Sequence, residues 1–318
     1  GFGSTVNIDG GAEISTEGIA VSAQSGVINI NVDAEGSANA ENNVSIRGNV
    51  GAVSGLTQQG ETFKDTVVNL GLNNSSSSLD GIVYTSAVEG FTSKVNMVLA
   101  NGATWTNEQI GSLPSSWTNA SSSVAKLTGG EAGKVGVIKQ LHQGDLQIDE
   151  YSGSTLVIYG HSNDGTEASN YSAGAVKINK AQEGATITLS TDNQGIEVND
   201  GSQVAKVLNA LASKLFYLDY INGETSLNGM VQIASGLTSS SQTLRLKEIT
   251  FDSATGQGSY VKSSEPVVAN QPLIEDNYTG NTQRQYWDDA YIRTTSGGLT
   301  SYIFDSDAEI TYYTSGGL

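Results

Sequence analysis

The sequence predicts an all-β fold, a β-solenoid in which one coil of chain is laid on the next. Three observations predict it. Two stretches superpose: GDLQIDEYSGSTLVIYG, from Gly144 to Gly160, and GAVKINKAQEGATITLS, from Gly174 to Ser190. Gly144 matches Gly174, Leu146 matches Val176 and Ile148 matches Ile178. After a slip of one residue, Gly153 matches Gly184, Leu156 matches Ile187 and Ile158 matches Leu189. Each unit is an alternating strand, a polar turn with a glycine, and a second alternating strand. A repeat of about thirty residues signals stacked architecture, because a single unit cannot bury its apolar side chains without a neighbour of the same shape. Composition is the second observation: 38 Gly, only 3 Pro and 37% apolar residues, with short Val/Ile/Leu alternations and 13 Tyr that a disordered chain would lack. The third is the recurrence of strand-like patches along nearly the whole chain.

Taken in order, residues 1 to about 56 carry Val6-Asn7-Ile8, Val27-Ile28-Asn29-Ile30 and Val44-Ser45-Ile46. They recur roughly every twenty residues, the length of one coil of a three-faced helix. Turns fall at Asp9-Gly10 and Glu35-Gly36, where glycine supplies positive φ without steric cost. Between 57 and 110, Val68 and Leu70 alternate, as do Ile82 and Tyr84, then Val95, Met97 and Leu99. Asn101-Gly102 is a tight-turn dipeptide that Trp105 closes. The polar run Asn73 to Ser78 reads as a flexible loop, and Pro114 marks residues 111–140 as a loop excursion or as two short coils with a long connection. Val204, Val207, Leu208, Leu211 and Leu215 recur at helical spacing, with Ser202 as N-cap. This predicts a short helical insertion near 202–213 that covers apolar surface of the solenoid. Asn222-Gly223 between alternating runs predicts a hairpin near 214–234. After residue 260 the composition shifts. Pro266 and Pro272 bracket a connector, and six Tyr fall between Tyr278 and Tyr313. The expected organisation is a β-helical segment over 1–260 and further coils or a small β segment over 261–318.

The net charge of −18 disfavours a phosphate-backbone binder, which needs a basic stripe, and disfavours contact with acidic membranes. Neither nucleic acid nor membrane is an expected partner of this segment. The chain has no cysteine, which suits a reducing compartment or an exported fold held by repetition. No apolar run approaches the ~20 residues of a membrane-spanning helix.

The series TVVNLGLNNSSSSLDGIVY, VNMVLANGATWTN, LQIDEYSGSTLVIYGHSNDGT, VKINKAQEGATITLSTDNQGI, VLNALASKLFYLDYINGETSLNGMVQIASGLTSSS and EITFDSATGQGSY covers about residues 66 to 260. It resembles passenger domains of bacterial autotransporters, the adhesin-like surface proteins of type V secretion. NGATW and the VLNALA…GMVQIA…TGQGSY block are its most specific pieces. The resemblance implies a right-handed parallel β-helix, exported through an outer-membrane barrel and displayed on the cell surface. With no signal peptide and no set of membrane strands in the sequence, an excised or interior piece of a passenger is expected.

Some relatives of such passengers are serine proteases. That chemistry requires a serine held against histidine and aspartate, and here there is no Gly-Asp-Ser-Gly turn. His161 reads as an exposed turn residue and His142 as a coil-edge residue. With two histidines and no cysteine, zinc is not expected. Asn163-Asp164-Gly165, Asp192-Asn193, Asp288-Asp289 and Asp305-Ser306-Asp307 are short oxygen-rich runs that calcium would favour, but turns and caps account for each. No catalytic residue, cofactor or metal ligand is assigned. Asp145, Asp149 and Glu150 lie one coil from Lys177 and Lys180, which places Glu150 near Lys180 and Asp149 near Asn179. A surface salt-bridge ladder explains them, and a glycan-cleaving site would also use paired carboxylates. Aromatics near the C-terminal end stack inside the coils or present sugar platforms.

The expected function is non-enzymatic adhesion. An acidic stalk, tethered to the bacterial outer membrane in the full-length protein, presents loops to a host or bacterial surface protein or glycan. The expected contact loops are Asn73 to Ser78, Gly111 to Ser123 and Ser162 to Ser172. The alternatives are a polysaccharide-cleaving β-helix enzyme and a structural spacer that self-associates through one face.

Overall fold

A computed structural model describes residues 4–54, 65–115, 117, 121–163, 165–192, 201–219, 221, 231–233, 242–244, 249–260, 274–276, 283–287, 291–296, 299–304 and 310–314. Among the described residues the chain is all-β with one α-helix. Its first strands are β1 (Thr5–Ile8), β2 (Ala12–Gln24), β3 (Val27–Ile30), β4 (Val44–Val53), β5 (Thr66–Leu72), β6 (Ser78–Asp80), β7 (Val83–Ser86), β8 (Ser93–Leu99) and β9 (Thr104–Asn107). They continue as β10 (Ser122–Gly129), β11 (Gly136–Gln140), β12 (Leu146–Ser152), β13 (Ser154–Tyr159), β14 (Val176–Ala181) and β15 (Thr186–Thr191). Helix α1 (Gly201–Ala212), β16 (Leu215–Tyr217) and β17 (Val231–Ile233) follow.

These strands form two parallel sheets. The first runs β1-β3-β5-β8-β10-β12-β14-β16, and the second runs β17-β15-β13-β11-β9-β6-β4-β2, with β7 also on β4. The chain passes from one sheet to the other and back, so each strand lies beside the strand laid down one pass earlier. The inner faces of both sheets supply one hydrophobic core. Val68, Leu70, Val95, Met97, Leu146, Ile148, Val176 and Ile178 come from the first sheet; Ile46, Val50, Leu79, Trp105, Ile138, Val157 and Leu189 come from the second. Alternation explains why: inward residues are apolar, outward ones polar, with the period of two that a strand imposes. Leu146 lies opposite Val176 and Ile148 opposite Ile178, the pairing that the thirty-residue repeat predicts.

Beyond residue 233 the described strands pair antiparallel in twos. They are β18 (Gln242–Leu244) with β21 (Ile274–Asp276), β19 (Ile249–Phe251) with β20 (Gly258–Tyr260), β22 (Gln283–Trp287) with β25 (Ile310–Thr314), and β23 (Tyr291–Ser296) with β24 (Leu299–Phe304).

Several expectations are corrected. The twenty-residue coil is wrong: β1 pairs β3, but the Val44–Ile46 patch belongs to the other sheet, and β3 continues onto β5. Apolar alternation marks a strand without saying which sheet receives it. Within Ser154–Tyr159 the inward set is Thr155, Val157 and Tyr159, so Val157, not Leu156 or Ile158, faces Leu189, and Thr155 faces Ile187. The second turn is one residue longer than the alignment allowed, and an unbroken run such as TLVIY does not declare its parity.

Among the described residues, the two strands that flank the predicted hairpin do not pair with each other. Leu215–Tyr217 joins the first sheet beside Val176–Ile178, and Val231–Ile233 joins the second beside Ile187–Leu189, both parallel. The Asn222-Gly223 turn itself lies outside the described residues. Asn101-Gly102 shows what such a dipeptide does here. Both residues have positive φ, 53° and 82°, and they turn the chain from β8 into β9 in the opposite sheet.

Helix α1 starts at Gly201, which places Ser202 inside the first turn rather than at the cap, and it stops before Leu215, which is a strand residue. Val207, Ala210, Leu211 and Ala212 are buried in the common core, as a covering helix requires.

Candidate functional site

The outward face of the first sheet is built in files. Asn7, Asn29, Asn69 and Asn96 stand in register on successive strands. Each amide donates to the one before it: Asn29 Nδ2 to Asn7 Oδ1 at 2.7 Å, Asn69 to Asn29 at 2.7 Å, and Asn96 to Asn69 at 2.8 Å. The file continues through Lys126, Glu150 and Lys180 with alternating charge. Thus Glu150 does lie opposite Lys180. Asp149 falls in a gap of the register beside Asn179, where both strands carry two successive exposed residues. Partial burial, with the neighbouring Glu150, holds the Asp149 carboxyl above the usual carboxylate range, while a hydrogen bond from Gln147 opposes that shift.

A second file reads Ser123, Gln147, Lys177, Phe216. At its last two members the sheet is lined by a cleft of about 440 Å³. Lys177 and Phe216 form part of its lining, and the others include Gln143, Asp145, Lys214 and Gln257. The segment from Ala168 to Ala175 contributes a further part of the lining. Gln257 arrives because the β19–β20 hairpin bridges Phe216 antiparallel and Tyr217 N donates to Gly256 O at 2.9 Å, which covers part of the edge strand β16.

Charge in the cleft is organised. Asp145 Oδ2 meets Lys177 Nζ at 2.7 Å, and its Oδ1 accepts from Ala175 N at 2.9 Å. Lys177 Nζ also lies 5.6 Å from the centre of the Phe216 ring, within cation–π range. Lys214 Nζ donates to Tyr171 O at 2.8 Å and Ala173 O at 2.9 Å, pinning the cleft wall to β16. Burial holds the Lys214 ammonium below the ordinary lysine range, and the Asp145 carboxylate opposes that shift. The cleft lining carries one carboxylate, already engaged, and not the facing pair that glycoside hydrolysis uses.

The three expected contact loops fare differently. Asn73 to Ser78 is tied down: Asn73 Nδ2 donates to Ala38 O, Asn74 Nδ2 to Ala40 O and Asn42 O, and Ser77 Oγ accepts from Val44 N. Asparagines that satisfy backbone carbonyls of the previous pass make this run a rigid turn instead of a flexible loop. In the Gly111–Ser123 excursion, Trp117 is buried and stacks on Tyr84 with ring centres 4.6 Å apart, over Gly51, where a side chain would collide with the indole. The Ser162–Ser172 loop is anchored by Tyr171, which packs edge-on to Tyr159 and donates its hydroxyl to Gly165 O at 2.9 Å. Its Ala168 and Ser172 reach the cleft.

His161, expected as an exposed turn residue, has its Nδ1 paired with Asp192 Oδ1, which fixes the ring at the loop base. His142 Nδ1 accepts from Gly144 N at 3.0 Å, as a turn-edge histidine does. Among the described residues no three His, Cys, Asp or Glu side chains gather as metal ligands. Asp164, Asn193, Asp288, Asp289 and Asp305 to Asp307 lie outside the described residues. A smaller hollow of about 150 Å³ opens among Val6, Val27, Ile28 and Ala23 at the first strands.

Sequence reasoning put Asp145 and Lys177 on consecutive coils without pairing them, and missed Phe216, Lys214 and Gln257. An outward aromatic on a strand was the available signal for Phe216. No protein-family model matches the chain, and comparison with curated proteins and with solved structures finds no match.

Proposed function

We propose that this chain is a surface-displayed attachment segment of passenger type, a right-handed parallel β-helix tethered to a bacterial outer membrane in its full-length protein. The observation that carries the reading is the position of the cleft: Phe216 and the Lys177 ammonium stand on the outward face of a long stack of in-register parallel strands, with the Lys214 ammonium beside them in the turn before β16. Stacked passes supply a stiff axis without cysteine, because every strand hydrogen-bonds to the pass before and after it. The acidic chain keeps copies apart in solution. A concave, partly apolar site on such an axis is suited to holding a glycan or a protein loop of an opposing surface.

Beads coated with the 318-residue chain test the reading. They are expected to be retained on host epithelial or bacterial cells well above albumin-coated beads, and to be displaced by free chain. Retention equal to albumin sinks it.

A further inference from the structure

We infer that the cleft beside Phe216 is a subsite for a carboxylate-bearing sugar, a uronic or sialic acid unit of an acidic glycan. The inference deepens the attachment reading and rests on it for its biological setting.

The argument starts from charge. The whole chain carries −18, yet this cleft holds two ammonium groups, Lys177 and Lys214, against one carboxylate, Asp145. A local excess of positive charge in a partly desolvated recess of an acidic protein favours an anion there. The protein engages one partner of Lys177 and two of Lys214, and an ammonium has three N–H donors, so both retain donor capacity. Charge-assisted hydrogen bonds of this kind are the strong ones.

Shape and polarity narrow the anion. A volume of about 440 Å³ suits one or two sugar rings. The Phe216 ring offers an apolar plate on which the C–H face of a pyranose packs. Gln143 and Gln257 add amides that donate to and accept from hydroxyls. A bare phosphate would make no use of the plate, and a neutral sugar would make no use of the two ammonium groups. A carboxylated sugar uses both.

The experiment is calorimetric titration of the whole chain with methyl glucuronoside, methyl glucoside and inorganic phosphate. The glucuronoside is expected to bind about tenfold tighter than either comparison ligand. Lys177→Gln and Phe216→Ala are each expected to weaken it about tenfold, with the melting temperature of Lys177→Gln unchanged. The inference is overturned by equal binding of glucoside and glucuronoside, by phosphate binding as tightly as the glucuronoside, by no binding of the glucuronoside, or by binding indifferent to both substitutions. Bead retention separates the two claims. Retention without uronoside binding leaves attachment standing and removes this subsite, whereas uronoside binding without retention does the reverse.

Discussion

Asn49 and Ile110, 61 residues apart, are tied in both directions: Asn49 Nδ2 donates to Ile110 O at 2.6 Å, and Ile110 N donates to Asn49 Oδ1 at 3.1 Å. The same amide donates to Gly18 O at 3.0 Å and accepts from Ile82 N at 3.2 Å. Asn49 is fully buried, so these four bonds use the side chain's whole capacity. It holds β2, β4 and the loop around Ile110 together where the chain leaves sheet geometry.

Replacing Asn49 with alanine strands several buried backbone groups at once. A loss of about 3 kcal/mol is expected, since each unsatisfied buried group costs ~1–3 kcal/mol. Urea unfolding measures it, and amide exchange at Ile110 and Ile82 reports the local opening. A change below about 1 kcal/mol refutes the assignment.

The amide file predicts a position effect. Asn69 both donates and accepts within it, whereas Asn7 has one partner in the file. Asn69→Ala is expected to cost about 1 kcal/mol and Asn7→Ala about half of that, in line with cross-strand pair energies. Equal midpoints for the two variants in denaturant melts contradict the file.

Parity in β13 is open to a direct comparison. Val157 is fully buried against Leu189, while Leu156 stands on the outward face. Val157→Ala is expected to destabilise by about 2 kcal/mol through the cavity it leaves, and Leu156→Ala by less than about 1 kcal/mol. The reverse order, read by thermal melts, restores the register that the sequence alignment suggested.

The hairpin that covers β16 has a pH-dependent turn. Backbone N–H and hydroxyl of Thr255 at 2.7 Å and 2.9 Å, then Ala254 N at 2.9 Å, hold the exposed Asp252 carboxyl below its ordinary 3.8. Its folded value is depressed, so the turn is fully stabilised above pH 3.8 and loses that stabilisation as pH falls through the lower folded value. Amide exchange at Ala254 and Thr255 is expected to quicken below that point in excess of the ordinary pH dependence, and Asp252→Ala removes the excess. A pH-independent excess contradicts the assignment.

How much of this could be read beforehand depended on the kind of signal. The Leu146–Val176 and Ile148–Ile178 pairs were legible because two adjacent passes kept the same strand length and the same polar flanks. The pairing of Leu215–Tyr217 with Val231–Ile233 was misread because alternation marks both as strands without saying that they join different sheets. Trp117 and Tyr171 were hidden in polar loops. A lone large aromatic in such a loop is a docking anchor more often than a presented group, and both behave so here. The cleft was only half visible. Asp145 and Lys177 sit on consecutive passes, but Lys214, Phe216 and Gln257 reach it after a helix and a hairpin that no periodicity links to it.

Because Asn29, Asn69 and Asn96 all donate toward the amino end, the row has a sense, like a zip. Its teeth are oriented dipoles in series, each sharpening the next. A strand added on the carboxy side meets an oxygen, and one added on the amino side meets a nitrogen. A newcomer displaced by one residue brings an aliphatic group to that place and finds no tooth to engage. The row thus checks from outside the alignment of the first four strands of its sheet, while the oily interior rejects a slip of one residue but is indifferent to a slip of two, which brings one aliphatic in place of another.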